Sequence, residues 1–89
     1  MKRVRVFISG NVQGMFFRAF VNRKAHYLKL KGWVKNLDDG RIEAVFEGTE
    51  ERVNEMLEIC NRGPVGASVD GVEYNEEPFK GETGFKLIY

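Results

Sequence analysis

The chain is poor in the residues that most often carry chemistry: it has one cysteine, Cys60, and one histidine, His26, in 89 residues. A lone thiol excludes an internal disulfide and a cysteine-rich metal site, and it agrees with a reducing, cytoplasmic setting. No apolar run approaches the roughly 18–20 residues needed to span a bilayer, so no membrane association is expected. The N-terminal Met1-Lys2-Arg3-Val4-Arg5-Val6-Phe7-Ile8 alternates charge with apolar residues, which reads as a strand and not as a signal peptide. A formal net charge of +1 gives no global attraction to nucleic acid, and none is expected as a partner. Low-complexity segments and repeats are absent. At this length one domain over residues 1–89, expected to be a monomer, must build a single core.

What is present reads as alternating strands and helices. Val4, Val6 and Ile8 alternate with Arg3, Arg5 and Phe7, the period of a strand with one buried face. After the turn Gly10 to Gly14, Phe17, Phe20, Val21, Ala25 and Leu28 recur near 3.6 residues, which predicts a helix to about Leu30 that Gly32 stops. Gly32 to Leu37 and Arg41 to Glu47 then form a hairpin about Asp38-Asp39-Gly40. Thr49 is placed to cap a second helix whose Val53, Met56, Leu57 and Cys60 make one apolar face, and Gly63-Pro64 closes it. Extended segments Ala67 to Pro78, with a bulge near Gly71, and Thr83 to Tyr89 complete the chain. The order β-α-β-β-α-β predicts an α+β, ferredoxin-like sandwich, an antiparallel sheet with both helices on one face.

The stretch Gly10-Asn11-Val12-Gln13-Gly14-Met15-Phe16-Phe17-Arg18 is the one with chemical content. Glycines between a strand and a helix direct backbone N–H groups into a common hollow, and the free donors of the helix start add to it. Arg18, read as one residue inside the helix, is a cation in a turn where the dipole disfavours one by about 0.3–1 kcal/mol. An anion bound in the hollow answers both charges, and a guanidinium clamps phosphate oxygens in bidentate fashion. The loop lacks the Gly-Lys-Ser/Thr ending of a Walker A sequence and the G-x-G-x-x-G spacing of a dinucleotide site, so ATP and NAD fit poorly and no cofactor is expected.

The loop also holds no cysteine or aspartate to attack phosphorus, which leaves water as the nucleophile of any reaction there. His26 lies about two turns along the helix, beyond reach as a base. Without base or metal, the phosphates open to hydrolysis are those whose leaving group departs unaided, such as the carboxylate of an acyl phosphate. Asn36 is the remaining candidate to hold a water, although periodicity does not place it beside the loop.

At these residues the chain resembles the acylphosphatase family along almost its whole length. Val12-Gln13-Gly14-Met15-Phe16-Phe17-Arg18 is similar to the signature V-Q-G-V-x-F-R, and Gly32-Trp33-Val34-Lys35-Asn36 resembles G-W-V-x-N. Arg62-Gly63-Pro64 and the closing Gly84-Phe85-Lys86-Leu87-Ile88-Tyr89 also fit. The resemblance implies hydrolysis of small acyl phosphates to a carboxylate and inorganic phosphate, without metal or cofactor. It further implies that Arg18 binds the phosphate, that Asn36 orients the attacking water, and that the backbone of Val12, Gln13, Gly14, Met15, Phe16 and Phe17 forms the cradle. Met15 departs from the family's usual valine, and Asn11 stands where a basic residue is common.

Plainer readings stand beside these. Outside its loop, Arg18 would read as a surface arginine paired with a carboxylate, and Asn36 as a solvated strand residue. Phe17 and Phe20 read as core and Phe16 as a wall of the site; Trp33 packs, or offers a face to an acyl group. Cys60 reads as an inert hydrophobe, His26 as a helix-surface residue, and Lys29, Lys31 and Lys35 as a solvated rim. The rival functions are a regulatory domain that binds phosphate without turnover and an RNA-binding module of the same topology. Lys80-Gly81-Glu82-Thr83-Gly84-Phe85 departs from the RNA-binding pattern at Glu82 and Thr83.

Overall fold

The computed structural model describes residues Met1 to Tyr89. Its elements are β1 (Lys2–Asn11), α1 (Met15–Tyr27), β2 (Lys31–Asn36), β3 (Ile42–Gly48), α2 (Glu50–Arg62), β4 (Ser68–Glu77) and β5 (Phe85–Leu87). The five strands lie in the order β4-β1-β3-β2-β5. Pairing is antiparallel throughout except at one edge, where β5 runs parallel to β2 through Gly32 and Phe85, so the sheet is mixed where an antiparallel one was expected. The last extended segment is shorter than Thr83–Tyr89, with only three residues in ladder geometry.

Alternation along the strands decides which side chains meet the helices. Val4, Val6 and Ile8 of β1, Val34 of β2 and Ile42, Ala44 and Phe46 of β3 are all buried beneath Phe17, Val21 and Ala25 of α1 and Val53, Met56 and Cys60 of α2. Thr49 caps α2 as its position in the sequence indicates, its Oγ1 accepting from the Arg52 N–H at 3.3 Å. Burial pushes the Cys60 thiol up to about 12, which keeps it protonated and inert. The bulge falls where expected: the β1–β4 register shifts between Ser9 and Gly10, opposite Gly71 and Val69, leaving Asp70 as the extra residue.

The first helix ends earlier than its apolar period suggests. Lys29 adopts a left-handed φ of 57°, its N–H donates to the His26 carbonyl at 3.0 Å, and the Leu30 N–H donates to Ala25 at 2.9 Å. This is a left-handed capping motif that buries Leu30 against the last turn, with lysine where glycine is usual. Gly32 therefore does not stop the helix. It lies in β2, where a Cβ would stand 1.9 Å from the Val45 carbonyl oxygen, so glycine permits the close pairing with β3.

The face away from the helices is not simply solvated. Arg3 on β1 is opposite Glu47 on β3, and the two are 2% and 1% exposed. Arg3 also meets Glu77 and Glu82 at 2.9 Å, while Arg5 bridges Glu43 and Glu77 at 2.6 Å. Trp33 lies on this face with Arg5 and Lys35 over its ring, at 5.6 Å and 5.3 Å from the centroid. It packs as one reading expected, but on the side opposite α1, so it is not available to an acyl group bound at that helix.

The two arginines give the face an acid-sensitive element. Hydrogen bonds from Arg5, then Arg3, hold the Glu77 carboxyl down to about 2. A depressed carboxylate stabilises the fold above its unfolded value, and this contribution disappears as pH falls from about 4.5 toward 2. Glu77 is 25% exposed, so the loss is expected to be about 1 kcal/mol and not the full linkage value. Urea midpoints measured across that window should fall in the wild type and fall less in Glu77→Gln; equal slopes would refute the assignment.

Candidate active site

The loop between β1 and α1 is pinned from both sides while its backbone stays available. Val12 buries its side chain, and Gln13 Nε2 donates to the Arg41 carbonyl at 3.2 Å, tying the loop to the β2–β3 hairpin. Gly14 then turns the chain at φ 89°, a value that favours glycine, and starts α1 without a side-chain cap or any acid in the first turn. An α-helix leaves its first N–H groups unbonded, here those of Met15, Phe16 and Phe17. None of the backbone bonds made outside helices and strands has a donor among residues 12–17. The cluster of N–H groups and the positive end of α1 favour an anion.

Arg18 is the fourth residue of α1, not the second, and this places its side chain back over the loop. Its Nε donates to the Gly14 carbonyl at 3.3 Å and its NH1 to the Ile88 carbonyl at 2.7 Å. The Tyr89 ring lies 5.6 Å from the guanidinium carbon. At 9% exposure this cation is buried, yet its partners are neutral carbonyls, and no carboxylate pairs with it. Two of its five N–H bonds are thus used in orientation, and the remaining donors of the planar fork are free for a ligand.

Asn36 is the last residue of β2, on the same face as Val34 and beneath the start of α1. Its Nδ2 reaches the Gly14 carbonyl at 3.5 Å, so one backbone oxygen receives both Arg18 and Asn36. The side-chain Oδ1 is buried and has no hydrogen-bond partner in the protein. The sheet thereby brings Asn36 to the loop, a placement that strand periodicity alone did not supply.

The remaining candidates separate clearly. Phe17 is core, and Phe20 packs against it at 5.9 Å between ring centroids in an edge-to-face arrangement. Phe16 is 54% exposed and lies close to Gly66. His26 lies exposed near the other end of α1, its ring edge toward Phe85. No group of three or more His, Cys, Asp or Glu side chains is arranged to hold a metal ion. No helix is long and apolar enough to cross a membrane. One contributor escaped the sequence reading: the Ile88 carbonyl, a backbone atom that no residue type announces.

Fold and site together define a small α+β protein built around an anion-directed strand-to-helix loop. Residues 4–87 match the family model described as Acylphosphatase. The chain is 54% identical over 87 residues to an acylphosphatase of Rubrobacter xylanophilus, covering 97% of this chain and 79% of that protein. It is 44% identical over 90 residues to an acylphosphatase of Syntrophus aciditrophicus, covering 100% and 94% of the two. Among solved structures it is similar to the crystal structure of acylphosphatase from Bacillus subtilis, with a TM-score of 0.95, 37% identity and 100% coverage of both chains. The chain belongs to the acylphosphatase family.

Proposed function

We propose that this protein is an acylphosphatase that hydrolyses small acyl phosphates by direct attack of water, with Arg18 and the loop N–H groups as the phosphate site. The observation that carries the reading is a buried guanidinium with two carbonyl partners and no carboxylate, aimed over a cluster of free N–H donors. Burying a cation without a counter-charge is unfavourable, and a bound phosphate dianion supplies one. The backbone of Val12, Gln13, Gly14, Met15, Phe16 and Phe17 lines the cradle.

Asn36 then holds the nucleophile. Its unpartnered Oδ1 accepts a hydrogen bond from a water, while Nδ2 is restrained by the Gly14 carbonyl. The water oxygen bonds to phosphorus as the phosphorus–acyl oxygen bond breaks, and the electron pair of that bond leaves with the carboxylate. One water proton remains on the phosphate and the other passes to solvent. Such a loose phosphoryl transfer asks the protein for position and charge stabilisation, which Arg18 and the N–H groups provide at the oxygens where charge gathers.

The residues 1–89 act in this reading as one catalytic unit, a cytoplasmic monomer that needs no metal, cofactor or nucleic acid. Against an RNA-binding role stands the sheet face away from the helices, where Glu43, Glu47 and Glu77 surround the arginines and Trp33 is already covered by cations. The first test is the initial rate with benzoyl phosphate in EDTA, beside p-nitrophenyl phosphate. Turnover of the acyl phosphate alone, unaffected by chelator, is expected. If neither is cleaved while inorganic phosphate still binds, the loop is an anion sensor and the enzyme reading fails.

A further inference from the structure

The segment 78–84 crosses the sheet face opposite the helices, from β4 at one edge to β5 at the other. Its anchor is midway, on the central strand β3. Glu47 Oε2 accepts from the Lys80 N–H at 2.8 Å and Oε1 from the Glu82 N–H at 2.7 Å, and Oε2 also accepts from Arg3 NH1 at 2.9 Å. Arg3 NH1 in turn donates to Glu82 Oε2 at 2.9 Å, so the strap is held by its backbone and by a side chain. Burial pushes the Glu47 carboxyl up, but the two N–H groups and Arg3 outweigh this and hold it below the ordinary range. A buried carboxylate accepting three donors, two of them from one loop, is a clasp.

What the clasp delivers lies on the other face. β5 has three residues and pairs with one neighbour in parallel, the weaker mode, so its own ladder fixes it poorly. Immediately beyond it the Ile88 N–H donates to the Val34 carbonyl at 2.9 Å, and the Ile88 carbonyl receives Arg18 NH1 at 2.7 Å. The plane of the guanidinium is set by that carbonyl and by Gly14. We infer that Glu47 is a positioning residue for Arg18: by clasping the strap it fixes where β5 docks, and so where the Ile88 carbonyl orients the guanidinium. The inference rests on the reading of Arg18 as the phosphate ligand.

Glu47→Gln tests it with little change of shape, because an amide N–H₂ must then face an N–H donor of the strap or of Arg3. The expected result is a parallel rise of about three- to tenfold in KM for benzoyl phosphate and in the competitive inhibition constant of inorganic phosphate, with a smaller change in kcat. In an Arg18→Ala background the same substitution should add nothing, since residues acting through one group are not additive. A folded Glu47→Gln enzyme with a lower urea midpoint but unchanged constants overturns the clasp, while leaving the Arg18 reading intact. If Glu47→Gln does not fold, Glu47→Asp, which keeps the charge but shortens the reach to the Lys80 and Glu82 N–H groups, is read in the same way: a parallel rise supports the inference and unchanged constants overturn it. An Arg18→Ala enzyme that keeps wild-type phosphate inhibition overturns both readings together.

Discussion

Arg18→Ala is expected to lower kcat/KM for benzoyl phosphate by about 10³-fold or more, through a higher KM and a lower kcat together. Both constants move because the guanidinium would meet the phosphate before the reaction and more strongly as charge spreads over its oxygens in the transition state. The magnitude corresponds to about 4 kcal/mol, reasonable for a charge-assisted, partly bidentate contact from a guanidinium that is itself buried. Arg18→Lys should recover little. A lysine ammonium offers a point charge where the Gly14 and Ile88 carbonyls hold a planar fork, so it can keep those partners or reach the ligand in the same geometry, not both. Initial rates and inhibition by inorganic phosphate check the prediction. Wild-type constants in Arg18→Ala would remove the phosphate site from this loop.

Removing Arg18 also probes an energetic compromise. Its burial without a carboxylate costs stability that a surface arginine would not, and the neutral carbonyls offset only part of that cost. The family resemblance and the loop pointed to this residue because cation, glycines and helix start are consecutive in the chain. Other parts of the site were less legible for definite reasons. Asn36 reaches the loop because α1 leads the chain back to β2, two strands away from β1 in the sheet, and period-2 alternation carries no information about which strands become neighbours. The Ile88 carbonyl has no side-chain signature at all. The end of α1 was misplaced because a lysine, and not glycine or asparagine, takes the left-handed cap position. Alternation correctly separated the two faces of β1, but it could not say that the second face is covered, since the strap that buries Arg3 comes from residues 78–84 and is attached through Glu47.

Asn36→Ala is expected to lower kcat by about 10²-fold or more while KM changes by less than about threefold, because in the proposed mechanism the residue acts on the water and not on the bound phosphate. The split between constants follows from its two atoms. Nδ2 is spent on the Gly14 carbonyl and sets the orientation; Oδ1 is buried without a protein donor, a state that costs about 1–3 kcal/mol when nothing satisfies it. The urea midpoint of Asn36→Ala should accordingly be unchanged or higher than that of the wild type, an activity loss without a stability loss. Asn36→Asp should behave differently: its carboxylate would stand beside the phosphate dianion, and like-charge repulsion should raise KM as well as lower kcat. Asn36→Ala at full rate would reject water positioning. A parallel loss of kcat and stability would instead make Asn36 a support for the Gly14 turn, and the nucleophile would then have to be held by the loop N–H groups and phosphate oxygens alone.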